Sequence, residues 1–129
     1  MANVAAYMIP YDFLDKVFLS HLHTDHFGNL DDLFVSGALA GRQKPLRVWG
    51  PSGETPERGT KYALDHLFKA LTWDLDGRKG LTDPRGYHLE VNEFDYKVMN
   101  QIVYQENGVT IRSWPASRWP KAALVRPWA

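Results

Sequence analysis

The stretch FLSHLHTDHFGNL, residues 18–30, sets three histidines and one aspartate within six positions directly after an apolar run. Lys16 is followed by VFLS, a β-branched and aromatic run ending at Ser20, which suits a buried strand of about five residues. From His26 onward Leu30, Leu33 and Phe34 recur at helical spacing, and small residues carry the pattern to Gly41, which can close the helix. The local order is strand, ligand-rich loop, helix. On an extended backbone His21 and His23 leave the same face and can grip one ion. Asp25 and His26 follow where the chain turns into the helix, aimed at a second position nearby. Such spacing suits a pair of metal ions about 3.5 to 4 Å apart, with imidazole nitrogens about 2.0 to 2.1 Å from zinc.

The mixture of ligands has a chemical reason. Histidines hold a borderline metal while leaving it Lewis acidic, and a carboxylate beside them can bind a second ion and orient a water. A metal-bound water ionises near neutral pH and becomes a nucleophile without a strong base. The reaction class is hydrolysis of an ester, amide or phosphodiester. Zinc, as one or two ions, is the expected cofactor; manganese or iron also suit these ligands, because geometry rather than ligand type decides among them.

Bulk properties bound the alternatives. A chain of 129 residues, 44% hydrophobic, can build one domain with a real core. Lys plus Arg equals Asp plus Glu at 15 each, and no segment concentrates basic residues, so no nucleic-acid surface is signalled. The absence of cysteine removes disulfides and thiolate zinc sites together. The start has no basic segment followed by a sustained apolar one, and no apolar run is long enough to cross a bilayer. The sequence reads as soluble and cytoplasmic, with no membrane partner.

Along the rest of the chain, PLRVWGPSG gives a second short strand, Leu46 to Trp49, cut off by a Gly-Pro turn. Thr55 as cap and Pro56 at the first helical position open a second amphipathic helix, about 56 to 72, with Leu64, Leu67, Phe68 and Leu71 as its apolar stripe. DLDGRKGLTDPRG reads as a surface loop. Tyr87, Leu89 and Val91 then alternate with His88, Glu90 and Asn92, the period of a half-exposed strand. Asn107-Gly108 sits between two β-prone runs, a strong hairpin signal.

Several residues compete for a functional reading and are better explained structurally. His66 and His88 read as exposed on a helix and a strand. Asp31 and Asp32 suit a helix N-terminus, while Asp95 reads equally as a substrate-side acid or as an acidic turn before the hairpin. Trp49, Trp73 and Trp114 are expected to fill the core or a cleft wall.

HLHTDH, after a hydrophobic strand and before a helix opened by Gly28 and Asn29, resembles the HxHxDH signature of the metallo-β-lactamase fold superfamily. LRVWGPSG is similar to the strand and Gly-Pro loop of its ribonuclease Z and arylsulfatase-like branch. The resemblance covers residues about 13 to 116. It implies an α/β fold, a partial αββα sandwich with a mixed sheet, two helices and a C-terminal β-hairpin. It also implies His21 and His23 as ligands of a first zinc, and Asp25 and His26 as ligands of a second. Asp25 would be the catalytic carboxylate of a zinc-hydroxide hydrolase acting on a small-molecule ester or phosphodiester.

The sequence also departs from that family. Only about fifteen residues precede the strand before the signature, and no histidine follows His88, where the family supplies a further histidine beyond a position matching Trp114-Pro115-Ala116. Residues 1–116 are therefore expected to form a partial domain. Residues 117–129, rich in Arg, Trp and Pro, are expected to be an atypical tail produced by a frame change or misplaced gene boundary. The alternative function is a non-enzymatic remnant that binds at most one ion. Exposed sheet surface would favour self-association.

Overall fold

Three short β-prone runs align side by side in the computed structural model, which describes residues 9–115. They are β1 (Lys16–Phe18), β2 (Leu46–Pro51) and β3 (Leu89–Phe94), in the order β1-β2-β3 and all parallel. Between β1 and β2 the chain forms α1 (Thr24–Phe27) and α2 (Leu30–Leu39); between β2 and β3 it forms α3 (Thr60–Ala70) and α4 (Thr72–Gly77). The α/β class expected from sequence holds. Beyond β3, β4 (Gln101–Glu106) and β5 (Val109–Ser113) make a separate antiparallel pair. The chain divides into two compact units, residues 1–95 and 96–129. The boundary expected at 116/117, with its tail, lies outside the described residues.

In the first unit the strand period of two sorts side chains by face. Val17, Leu46, Val48, Leu89 and Val91 join Leu19, Leu30, Phe34 and Leu64 in one core. Phe34 of α2 meets Phe68 of α3 edge to face, with ring centroids 4.7 Å apart, so both helices share that core. Full burial of such a side chain contributes about 1.5 to 3 kcal/mol. On alternate positions Phe18 stacks on Trp49 at 4.9 Å, and the Arg47 guanidinium lies 5.3 Å from the Trp49 ring centre. The core role expected for Trp49 is observed, whereas Trp73 is 89% and Trp114 59% exposed. Trp73 falls on a six-residue helix whose neighbouring Leu75 takes the place against the core.

Helix α2 ends as Gly41 predicts. Gly41 adopts φ +91°. Its N–H donates to the Ala38 carbonyl and that of Arg42 to the Gly37 carbonyl, the paired bonds of a Schellman ending. The Arg42 side chain then turns inward and is 1% exposed. Its Nη2 donates to the carbonyls of Phe34 and Gly86, both at 3.0 Å, its Nη1 to Leu33 and its Nε to Lys44, both at 3.2 Å. A Cβ on Gly37 would strike this guanidinium, and one on Gly86 the Arg42 carbonyl. Burial lowers the Arg42 pKa, with Asp12, Asp15 and Tyr11 opposing. The sequence reading does not single out this residue.

Three boundaries differ from expectation. The helix expected at 56–72 is interrupted: Pro56–Arg58 form a 3₁₀ turn, and Gly59, extended at φ −96°, ψ 164°, starts α3 afresh. The restart is held by tertiary bonds, Thr60 Oγ1 donating to the Pro51 carbonyl and the Lys61 N–H to Glu93 Oε1, each at 2.8 Å. The loop expected from Asp74 begins as the rest of α4, because Leu75 joins the core and its carbonyl accepts the Tyr87 hydroxyl at 3.0 Å. Tyr87 itself ends a turn, its N–H bonded to Asp83 O, so β3 starts at Leu89, opposite Leu46.

The second unit is described from Tyr96 to Pro115. Its turn is the one the sequence predicts: Asn107 and Gly108 take φ 52° and 77°, as a two-residue hairpin turn with both central residues left-handed requires. A bulge between Ile102 and Tyr104 shifts the register. Tyr104 is buried.

Candidate functional site

The histidine-rich loop leaves the sheet at the carboxyl end of β1. Strand pairing continues one residue beyond β1, with the Leu19 N–H donating to the Trp49 carbonyl at 2.8 Å. Ser20 is thus the first exposed residue after anchored backbone. His23 stays extended at φ −69°, ψ 144° and precedes α1, accepting the His26 N–H on its carbonyl at 2.9 Å. This one turn folds the loop back, so residues 21 and 26 become neighbours although five positions apart. Leu22 and Phe27 pack against the core, which tethers the loop on both sides of His23, Asp25 and His26. In open parallel sheets, ligands bind in the crevice outside the carboxyl ends of the strands.

All four residues singled out from sequence lie in this patch. His21 and His26 rings are 3.9 Å apart at 49°, and His21 and His23 rings 4.8 Å apart at 87°. Asp25 Oδ2 is 3.5 Å from His26 Nε2. His21 is half-buried, while His23, Asp25 and His26 are exposed. The closer partner of His21 is His26, not His23. The helical turn brings that ring in, an effect invisible to strand periodicity.

Among the described residues, no three His, Asp or Glu side chains already converge on one point where an ion would sit. The donor set nevertheless fits a borderline divalent cation: three imidazoles and one carboxylate, adjacent and mostly accessible, with no cysteine in the chain. Exposed side chains change rotamer on the picosecond to nanosecond scale, so their present directions do not bar convergence.

The other candidates lie apart from this chemistry. His66 is exposed on α3, stacked on Tyr62 at 3.8 Å with Nδ1 2.9 Å from the Tyr62 carbonyl. His88 is exposed just before β3. Asp31 and Asp32 occupy the first turn of α2, and Asp32 accepts the Ser36 hydroxyl at 2.7 Å. Asp95 is exposed directly after β3. One residue of the patch was missed: Ser20 Oγ lies 2.9 Å from His21 Nδ1. A hydroxyl next to a ligand-type histidine is the signal that could have found it.

No protein-family model matches the chain. Curated proteins do. Ribonuclease Z of Latilactobacillus sakei is 30% identical over 86 residues, 64% of this chain and 28% of that protein. Ribonuclease Z of Methanococcus maripaludis is 28% identical over 94 residues, 73% of this chain and 25% of that protein. Ribonuclease BN of Citrobacter koseri is 48% identical over 40 residues, 31% of this chain and 13% of that protein. The similar proteins are ribonucleases. The chain spans between 13% and 28% of the length of these three relatives.

These names correct one expectation. A small-molecule ester or phosphodiester substrate, with nucleic acid not signalled, conflicts with relatives named for action on RNA. A charge argument misses relatives of this kind for a physical reason. Net charge and basic stripes report long-range attraction to a polyanion, and they carry no information about a local site that engages a single phosphodiester. Cations here are also neutralised beside their own positions, as in Lys69–Asp65, Arg78–Asp74, Lys79–Asp76 and Arg85–Asp83. Among the described residues no helix is long and apolar enough to cross a membrane.

Proposed function

We propose that this chain contributes the His21, His23, Asp25 and His26 part of a metal-dependent centre that hydrolyses phosphodiester bonds in RNA. The observation carrying this reading is the patch itself: three imidazoles linked by ring contacts of 3.9 and 4.8 Å, with a carboxylate beside them, at the carboxyl end of a parallel strand. Similarity to ribonucleases Z and BN supports RNA as the substrate class.

The three imidazoles and Asp25 would hold zinc, with manganese or iron as the other metals suited to these ligands. When bound, such an ion supplies Lewis acidity toward a phosphoryl oxygen and acidifies a water. Asp25, 78% exposed in its side chain, is free to orient the attacking water by accepting its proton in a hydrogen bond. His21, the half-buried member, gives the patch its fixed point. Leu22 and Phe27 anchor the loop so that rotation of side chains, not of backbone, adapts the site.

A second reading is favoured by one observation, that among the described residues no three of these ligands converge on one point. In it, the chain is a non-enzymatic remnant that binds at most one ion. Elemental analysis of the monodisperse full chain, paired with cleavage of a fluorescent RNA oligonucleotide, separates the two. About two equivalents of metal, and cleavage that His23→Ala abolishes, would establish the hydrolase. One equivalent or less without cleavage would establish the remnant.

A further inference from the structure

We propose that Ser20 is the positioning residue of the histidine patch. In this assignment the hydroxyl, which can donate or accept, accepts the Nδ1–H of His21; the bond favours that tautomer, restrains the ring and leaves Nε2 as the nitrogen open to a metal ion. This assignment rests on the metal reading for its purpose, but not for its geometry.

The argument starts from the backbone. The bond from the Leu19 N–H to the Trp49 carbonyl pins the chain to the sheet immediately before Ser20. The Ser20 hydroxyl, 2.9 Å from His21 Nδ1, therefore acts from an anchored position. Neutral imidazole has one N–H and one lone pair, and the partner of one nitrogen determines what the other can do. Histidines that ligate metals almost always donate their second ring N–H to a fixed acceptor.

His21 is also the right residue to hold. It is the half-buried member of the four, and its ring contacts both other histidines. A fixed His21 limits where the rings of His23 and His26 can lie. His26, by contrast, has its Nε2 turned to Asp25 at 3.5 Å, and no hydrogen bond fixes His23 through its side chain in its capping position. The contact with Ser20 thus bears on the ring that both other histidines touch.

The test uses the full chain with ¹⁵N-labelled histidine, free of metal, about two pH units above the ordinary imidazole pKa. Long-range ¹H–¹⁵N NMR should find His21 as the Nδ1–H tautomer in the wild type. It should shift toward Nε2–H in Ser20→Ala and return in Ser20→Thr. Zinc titration should then show roughly tenfold weaker binding in Ser20→Ala, the size typical of losing such an outer partner, with recovery in Ser20→Thr. Ser20 is exposed, so melting temperature should not move.

A wild-type His21 protonated on Nε2, or a Ser20→Ala chain with unchanged tautomer and unchanged zinc affinity, would overturn the assignment. A wild type that binds no zinc but shows the Ser20-dependent tautomer would sink the metal reading and leave the positioning role standing. The two failures are thereby distinguishable.

Discussion

Helix α2 has a polar cluster near each end, and the two are built on opposite terms. Past its carboxyl end, Arg42 is 1% exposed and spends its guanidinium on four backbone carbonyls. Before its amino end, His21, His23, Asp25 and His26 touch one another, stand mostly in solvent, and include no three that converge on a common point. A buried polar group must be satisfied or it costs stability, so the Arg42 network is rigid and closed. An exposed patch owes nothing to the core. It can keep donor atoms uncommitted, which is what binding a ligand requires.

The sharpest way to break this contrast is to remove the closed cluster. Arg42→Met should destabilise the protein by about 3 kcal/mol in urea unfolding, because the buried carbonyls of Phe34 and Gly86 lose this donor. A cost under about 1 kcal/mol would mean that the network holds little together. Gly86→Ala should come next, at about 2 kcal/mol by the same measurement, since a Cβ there meets the Arg42 carbonyl.

At the other end of α2, His23→Ala should change stability by less than about 0.5 kcal/mol while removing metal binding measured by elemental analysis. If it proved as destabilising as Arg42→Met, the patch would be structural and the contrast would fail. The smallest effect belongs to the Asp83–Arg85 ion pair, in the turn that leads into Gly86. The Arg85 side chain, then its backbone N–H, hold the Asp83 pKa down at about 2. A depressed carboxylate stabilises the fold above its ordinary value, and that contribution fades as pH falls from about 4 toward 2. Melting curves of wild type and Asp83→Asn should therefore differ slightly near neutral pH and merge in acid. A difference that grew on acidification would reverse the assigned sign.

Which parts of this were readable from sequence follows the same division. Asn107-Gly108 was readable because a hairpin turn is a matter of two dihedral pairs, and both residues adopt the expected positive φ. The placement of the histidines after a strand was readable because VFLS can do little else. The break at Gly59 was not, since it depends on Thr60 reaching Pro51 and Lys61 reaching Glu93. Nor was the exposure of Trp73, which a hydrophobic residue on a short helix does not announce.

By itself the sequence determined the α/β class, the strand and helix runs, the hairpin turn and the clustering of four ligand-type residues within six positions. Those features depend on local dihedral preference and on spacing along one chain segment. Tertiary structure alone decided that His21 lies nearer His26 than His23 and that Arg42 goes inside. Arg42 reaches Gly86, 44 residues away. A bond across that separation exists only after sheet and helices have brought the two segments together, so no local pattern encodes it.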